Sequence, residues 1–199
     1  MIRNRITTLT ALGAAFLLAA CSRGDNAETG GTTDSAAGAV NTGTPAAAAL
    51  SDAEIVGKLD AINVADSAHG RVASTKGTSS DVKQYGQMMM GEHHALRVEG
   101  QKLATAQNIT PAIPAGDNSV AQADEHLNTL NSTAKGAAWD KTYIDHEVTM
   151  HEQALQFAQQ AAQSTQNAEL RALLEKGTPV IQKHLDRAKQ IQQSLAPTT

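Results

Sequence analysis

From Ser51 to the end of the chain, apolar side chains recur in alternating steps of three and four, the period of helices that bury one face. The first such stripe runs Ile55, Leu59, Ile62, Asp66, His69, Ala73, and its second half turns polar. Ser51-Asp52-Ala53-Glu54 ahead of it is a capping box, so the helix starts there and ends at Gly77. A second helix is expected from about Asp81 to Ala106, with Val82, Met89, Leu96 and Leu103 on one face and Gly86, His93 and Gly100 bordering it. Those glycines would let the backbone of a neighbour approach closely.

The short Gly77–Ser80 link makes these two helices an antiparallel hairpin. Gln107 to Gly116 contains Pro111 and Pro114 and cannot continue a helix; Asp117 or Asn118 then caps a short one holding Val120, Leu127 and Leu130. A third long helix spans about Gly136 to Gln163, and a turn at Ser164–Asn167 leads into a fourth, with Leu170, Leu174, Gly177, Ile181, His184, Ala188, Ile191 and Leu195 on its stripe. Pro179 inside that helix predicts a kink. Two antiparallel hairpins joined by a long crossover with a short extra helix describe an all-α, ferritin-like four-helix bundle over residues 51–199.

The region before Ser51 reads differently. Arg3 and Arg5, an apolar run through Leu18 and the small residues after it form a secretory signal over residues 1–20. Leu18-Ala19-Ala20-Cys21 resembles the lipobox of bacterial lipoproteins, which implies acylation of Cys21 and a lipid anchor in the cell envelope. Ser22 in place of Asp favours the outer membrane, with the domain facing the periplasm. Residues 21–50, rich in Gly, Thr, Ala and Ser, cannot bury enough apolar surface to order themselves and serve as a tether.

Composition narrows the chemistry. Of 199 residues 41% are hydrophobic but only 3% aromatic, so the core is aliphatic and closely packed. A net charge of −4, lowered by two more when Arg3 and Arg5 leave with the signal, and the lack of a basic stripe argue against a nucleic-acid partner. With Cys21 the only cysteine, no internal disulfide or cysteine metal cluster exists. No nucleophile elbow or phosphate loop occurs either.

What remains is a set of histidines and acids on inward faces. Asp140, Ile144, Glu147 and His151 line up in the third long helix, His93 borders the stripe of the second, and His184 lies on that of the fourth. Counted from the hairpin turns at about 1.5 Å per residue, Asp66, His93, Glu147, His151 and His184 fall within about two turns of one another. Imidazole and carboxylate are ordinary ligands of Zn, Fe, Mn and Cu, and bundle cores are where such sites are built. The alternative is a sealed polar layer that only sets helix packing. A di-iron oxidase needs Glu-x-x-His on two helices, and only Asp66-x-x-His69 approaches that pattern. Met88, Met89, Met90 and Met150, each near a histidine, add a Cu(I) reading. His69, His94, His126 and His146 are expected at the surface or its boundary, and Tyr143 is expected either to donate its hydroxyl to a core carboxylate or to be an ordinary bundle aromatic.

Several of these residues also carry a resemblance. Asp66 in the first helix, Glu92-His93 in the second, Trp139, Asp140, Tyr143 and His151 in the third, and Thr178-Pro179 with His184-Leu185 in the fourth resemble the pattern of the bacterial domain-of-unknown-function family 4142. That family is described as predicted outer-membrane proteins of ferritin-like fold. Departures are conservative: Asp for Glu at Asp66, Glu for Asp at Glu92, Trp for Phe at Trp139 and Thr for Leu at Thr178. The resemblance implies fold and location, and no particular activity.

Overall fold

A computed structural model of the chain describes residues 49–196. The expected signal, Cys21 and nearly all of the tether lie outside the described residues. Within them the protein is all-helical, with five helices and no strand: α1 (Asp52–Lys76), α2 (Ser80–Ala106), α3 (Ser119–Ser132), α4 (Ala137–Ser164) and α5 (Ala168–Ser194). No helix among the described residues is long and apolar enough to cross a membrane.

The helix ends follow local chemistry. Ser51 and Glu54 form the reciprocal capping box at α1. Ser79 and Asn167 cap α2 and α5 through their side chains. Asp140 contributes from a distance, accepting hydrogen bonds from the backbone N–H groups of Thr78 (2.8 Å) and Ser79 (2.7 Å). The carboxylate buried in α4 therefore satisfies the orphan amides where the first hairpin turns. Helix α5 continues in one piece through Pro179.

Contacts define the arrangement. Asp60 pairs with Arg97, Asn63 bonds His93 and Gly70 crosses Gly86, so positions rise along α1 as they fall along α2. The same opposition holds between α4 and α5, where His151 meets His184 and Asp145 bonds Gln192. It holds between α2 and α5, through Glu92–His184 and Glu99–Lys176. Between α1 and α4, Asp52 meets Thr165 and His69 meets His146.

Two apolar clusters fill the interior. One centres on Tyr85, Met89, Trp139, Tyr143, Ile144 and Ile191; the other on Ile55, Leu170, Leu174 and a run of alanines in α4. Leu50, assigned to the tether by its neighbours in sequence, packs against the second cluster. Helix α3 is held at its C-terminal end, where Lys76 Nζ and Trp139 Nε1 both donate to the carbonyl of Leu130. Leu130 is its one fully buried side chain.

Close approach of α1 and α2 depends on two glycines. A Cβ on Gly70 would lie 2.6 Å from the carbonyl oxygen of Gly86, and a Cβ on Gly86 would lie 2.6 Å from that of Gly70. Gly100, expected to play the same part, has open space where its Cβ would be. Gly70→Ala and Gly86→Ala should each destabilise the protein by about 1 to 3 kcal/mol through forced separation of the helices. Gly100→Ala should stabilise it by up to about 1 kcal/mol through helix propensity alone. Urea denaturation of the three variants checks the contrast, and equal effects at all three positions would contradict it.

Candidate metal centre

Asp66, His93, Glu147, His151 and His184 are all buried, none more than 2% exposed. The ring centroids of His93, His151 and His184 lie 5.6, 5.1 and 5.4 Å apart in pairs, and one nitrogen from each falls within 4.8 Å of the other two. The three come from α2, α4 and α5, brought to one layer by the hairpin registers.

Each ring has one nitrogen committed outward. His93 Nδ1 is 2.9 Å from Asn63 Oδ1, and that oxygen is identified because the Asn63 amide nitrogen donates to Leu59 O. His151 Nδ1 is 2.8 Å from the carbonyl of Glu147, and His184 Nε2 is 2.8 Å from Glu92 Oε2. All three partners are acceptors, so the bonded nitrogen carries the proton and the other carries the lone pair. Those others, His93 Nε2, His151 Nε2 and His184 Nδ1, are buried and have no hydrogen-bond partner. Three lone pairs thus point into shared space with no donor among them, each ring oriented by an oxygen at its back in the manner of metal-bound histidines.

The two core acids stand beside this set. Asp66 Oδ2 lies 3.5 Å from His93 Nδ1 and Glu147 Oε2 lies 3.6 Å from His151 Nδ1, both on the protonated side of the ring. Asp66, Glu147 and His151 also form a group of ligand-capable atoms within 4.8 Å of one another. Burial opposes the Asp66 charge, but His93, His151, His69 and His146 together outweigh it and hold the carboxyl below its usual range. Burial and then the Asp66 charge push Glu147 well above its ordinary value, against the charged form. Glu92 is held low: its burial acts against the charge, and hydrogen bonds from His184 and Lys183 prevail.

The supporting residues divide. Glu92 sits behind His184 and so joins the centre. Asp140 does not, being occupied with the turn at Thr78. Tyr143 is buried beside Trp139 and its hydroxyl acts on the Glu147 carboxyl, as does that of Tyr85, which lies 3.5 Å from Glu147 Oε2. Tyr85 had no polar signal in sequence to mark it. Asn63 was missed as well, although it falls one residue past the α1 stripe position Ile62. Met89 fills the apolar core and Met90 is exposed.

His69 departs furthest from the expected surface or boundary position, while His126 and His146 lie at the boundary. His69 is 1% exposed, and His126 and His146 are half-buried and stacked on each other with centroids 3.3 Å apart. Only His94 is at the surface as expected. A cavity of about 70 Å³, lined chiefly by apolar side chains such as Leu59, Leu96 and Ile181, reaches His93 and His151 from between the helices.

Burial pulls several of these imidazoles below their ordinary value of 6.5: His93 downward, His184 and His146 to about 4 and His126 to about 3. A folded-state value below the unfolded one gives stability that is complete above 6.5 and is lost as pH falls towards about 4. Glu147 acts in the opposite sense, its contribution being complete below 4.5 and lost as pH rises through its folded value. Four histidines outweigh one acid between pH 4.5 and 6.5, so the thermal midpoint of chelator-treated protein should fall steadily below pH 6.5. A midpoint unchanged between pH 7 and 5 would contradict this.

No curated protein and no solved structure matches the chain. The sequence model of one family, described as "Domain of unknown function (DUF4142)", matches residues 37–191, which take in α1 to α4, α5 as far as Ile191 and all of the residues of the centre. The chain belongs to this family.

Proposed function

We propose that the protein is a lipid-anchored component of the bacterial cell envelope whose ferritin-like four-helix bundle, formed by α1, α2, α4 and α5, binds a transition metal ion. The ion is held by His93 Nε2, His151 Nε2 and His184 Nδ1, with Asp66 as neighbouring charge and Glu147 as a second acid beside it. The observation that carries this reading is the convergence of three unpartnered, buried lone pairs. Neutral imidazole suits Zn, Fe and Cu. Three protein ligands leave a position open to water or another ligand, and the apolar cavity against His93 and His151 gives access to that side. When bound, the ion supplies Lewis acidity or redox chemistry according to its identity. The bundle topology is supported by α1 and α5 each running opposite to both α2 and α4, which makes the α2-to-α4 connection a crossover.

The anchor is supported by the residues Leu18-Ala19-Ala20-Cys21, and Ser22 favours the outer membrane. Cys21→Ser should move the protein from the membrane fraction to the soluble periplasm, as judged by fractionation and immunoblotting.

Metal binding is checked by elemental analysis of the purified full chain and by thermal shift with Zn²⁺, Fe²⁺, Mn²⁺ and Cu⁺. Binding of at least one ion is expected, with stabilisation of about 2.7 kcal/mol when the free ion is at one hundred times its dissociation constant. Glu92→Gln, which weakens the acceptor behind His184, should lower affinity about 10- to 100-fold. A second reading, a polar layer that only sets packing, draws on the satisfied Asn63–His93 and Glu92–His184 bonds. It requires His184→Leu to be neutral or stabilising with and without metal, whereas the metal reading requires that variant to lose one equivalent of ion and the stabilisation that goes with it.

A further inference from the structure

Away from the first centre, α1, α3 and α4 each contribute one histidine to a second group. His69 Nε2 lies 3.0 Å from the carbonyl oxygen of Ala123 in α3, so Nε2 carries the proton and Nδ1 the lone pair. That Nδ1 is buried without a partner, as are His126 Nε2 and His146 Nε2. The rings of His126 and His146 stack with 13° between their planes, and His69 stands edge-on to both at 5.0 and 5.4 Å. One nitrogen from each of the three lies within 4.8 Å of the other two.

A purely structural cluster would be arranged otherwise. Neutral imidazoles packed for stability satisfy one another, one ring's N–H donating to the next ring's lone pair, since an orphaned buried nitrogen costs about 1 to 3 kcal/mol. No such bond links these three rings. The second feature that points to a ligand is the backbone carbonyl behind His69, the arrangement that fixes tautomer and direction in metal-bound histidines. We propose that His69, His126 and His146 form a second metal site, taking one borderline divalent cation such as Zn²⁺ through three imidazole nitrogens and sharing no ligand with the first centre.

Ligand nitrogens around a tetrahedral zinc ion are about 3.3 Å apart, given bonds of about 2.0 to 2.1 Å. The three nitrogens, already within 4.8 Å of one another, reach that spacing by a movement that also turns the stacked His126 and His146 rings towards the ion, and α3 is the element able to make it. It buries a single side chain completely, and its anchoring bonds from Lys76 and Trp139 are at its far end. An ion at this site therefore fastens the middle of the crossover helix to the main body of the protein, through residues that the sequence of α3 alone would leave at the surface. Asp66, whose charge is favoured by His69 and His146 as well as by His93 and His151, supplies negative potential to both groups.

The test is Zn²⁺ titration of the full chain by calorimetry, with amide exchange followed in α3. Two equivalents are expected for the wild type and one for His126→Ala, with exchange in residues 119–132 slowed by Zn²⁺ in the wild type and not in the variant. His146→Gln repeats the test from α4 should His126→Ala fail to fold. Two equivalents retained in both variants would overturn the inference, as would a single equivalent in the wild type that both variants keep. In the latter case the first centre stands. A single equivalent lost in His126→Ala and kept in His184→Leu would support the second site and remove the first. No binding at all would overturn both.

Discussion

A neutral imidazole has one proton to place, and in His93, His151 and His184 it is placed outward, towards an oxygen, leaving the lone pairs to face one another. In the low-dielectric interior that arrangement is unfavourable without a cation: each unpartnered nitrogen costs about 1 to 3 kcal/mol, against a total stability of about 5 to 15 kcal/mol for an ordinary domain. Three such groups in one layer, and three more in a second, take up a large share of what folding provides. Binding of a structural divalent ion releases on the order of 10 kcal/mol or more, which is the scale needed to offset them. That magnitude, rather than the residue types, is what supports the proposed metal reading over a packing layer.

The frame that holds these rings is tuned at points remote from them. Gly70 and Gly86 let α1 and α2 approach one turn from Asp66 and two turns from His93, so those side chains share a layer. Asp140 ties the first hairpin's turn to α4 through two backbone amides, setting how far α4 slides along α1. Glu92 crosses from α2 to α5, held by Lys183 on one oxygen and by His184 on the other. Substitutions at any of these positions act on the centre through helix spacing or ring orientation, although none supplies a lone pair to it.

Much of this was legible in the sequence, and the failures have a common cause. Stripe periodicity and caps placed the helix ends within a few residues, because capping boxes, glycines and prolines act locally. The depth argument put Asp66, His93, Glu147, His151 and His184 in one layer, because hairpin turns are short and helical rise is constant. His126 escaped because it lies on α3, whose position depends on tertiary contacts of Leu130, Lys76 and Trp139. His69 escaped with it, since a boundary histidine becomes a buried one only when α3 covers it. Tyr85 escaped for a similar reason, since only packing brings its hydroxyl to Glu147. Gly100 shows the limit in the other direction, a glycine in register with Gly86 that no neighbour approaches.

Charge links the two histidine groups. Neutral imidazoles contribute no negative charge, so an ion bound by three of them keeps its full positive charge in a buried site unless acids lie near. Asp66 is the ionised acid in reach, and its carboxylate is stabilised by histidines of both groups. Burial and the Asp66 charge itself raise the Glu147 carboxyl above its ordinary value. With one carboxylate shared between two sites, the first ion gains the whole of its field, and a second gains less while being repelled by the first. Ionisation of Glu147 restores the balance, since a nearby cation offsets both the burial and the Asp66 charge that keep its proton on. On the metal reading proposed above, the buried acid pair on the protonated faces of the rings would supply charge to the layer and the imidazole nitrogens the ligands.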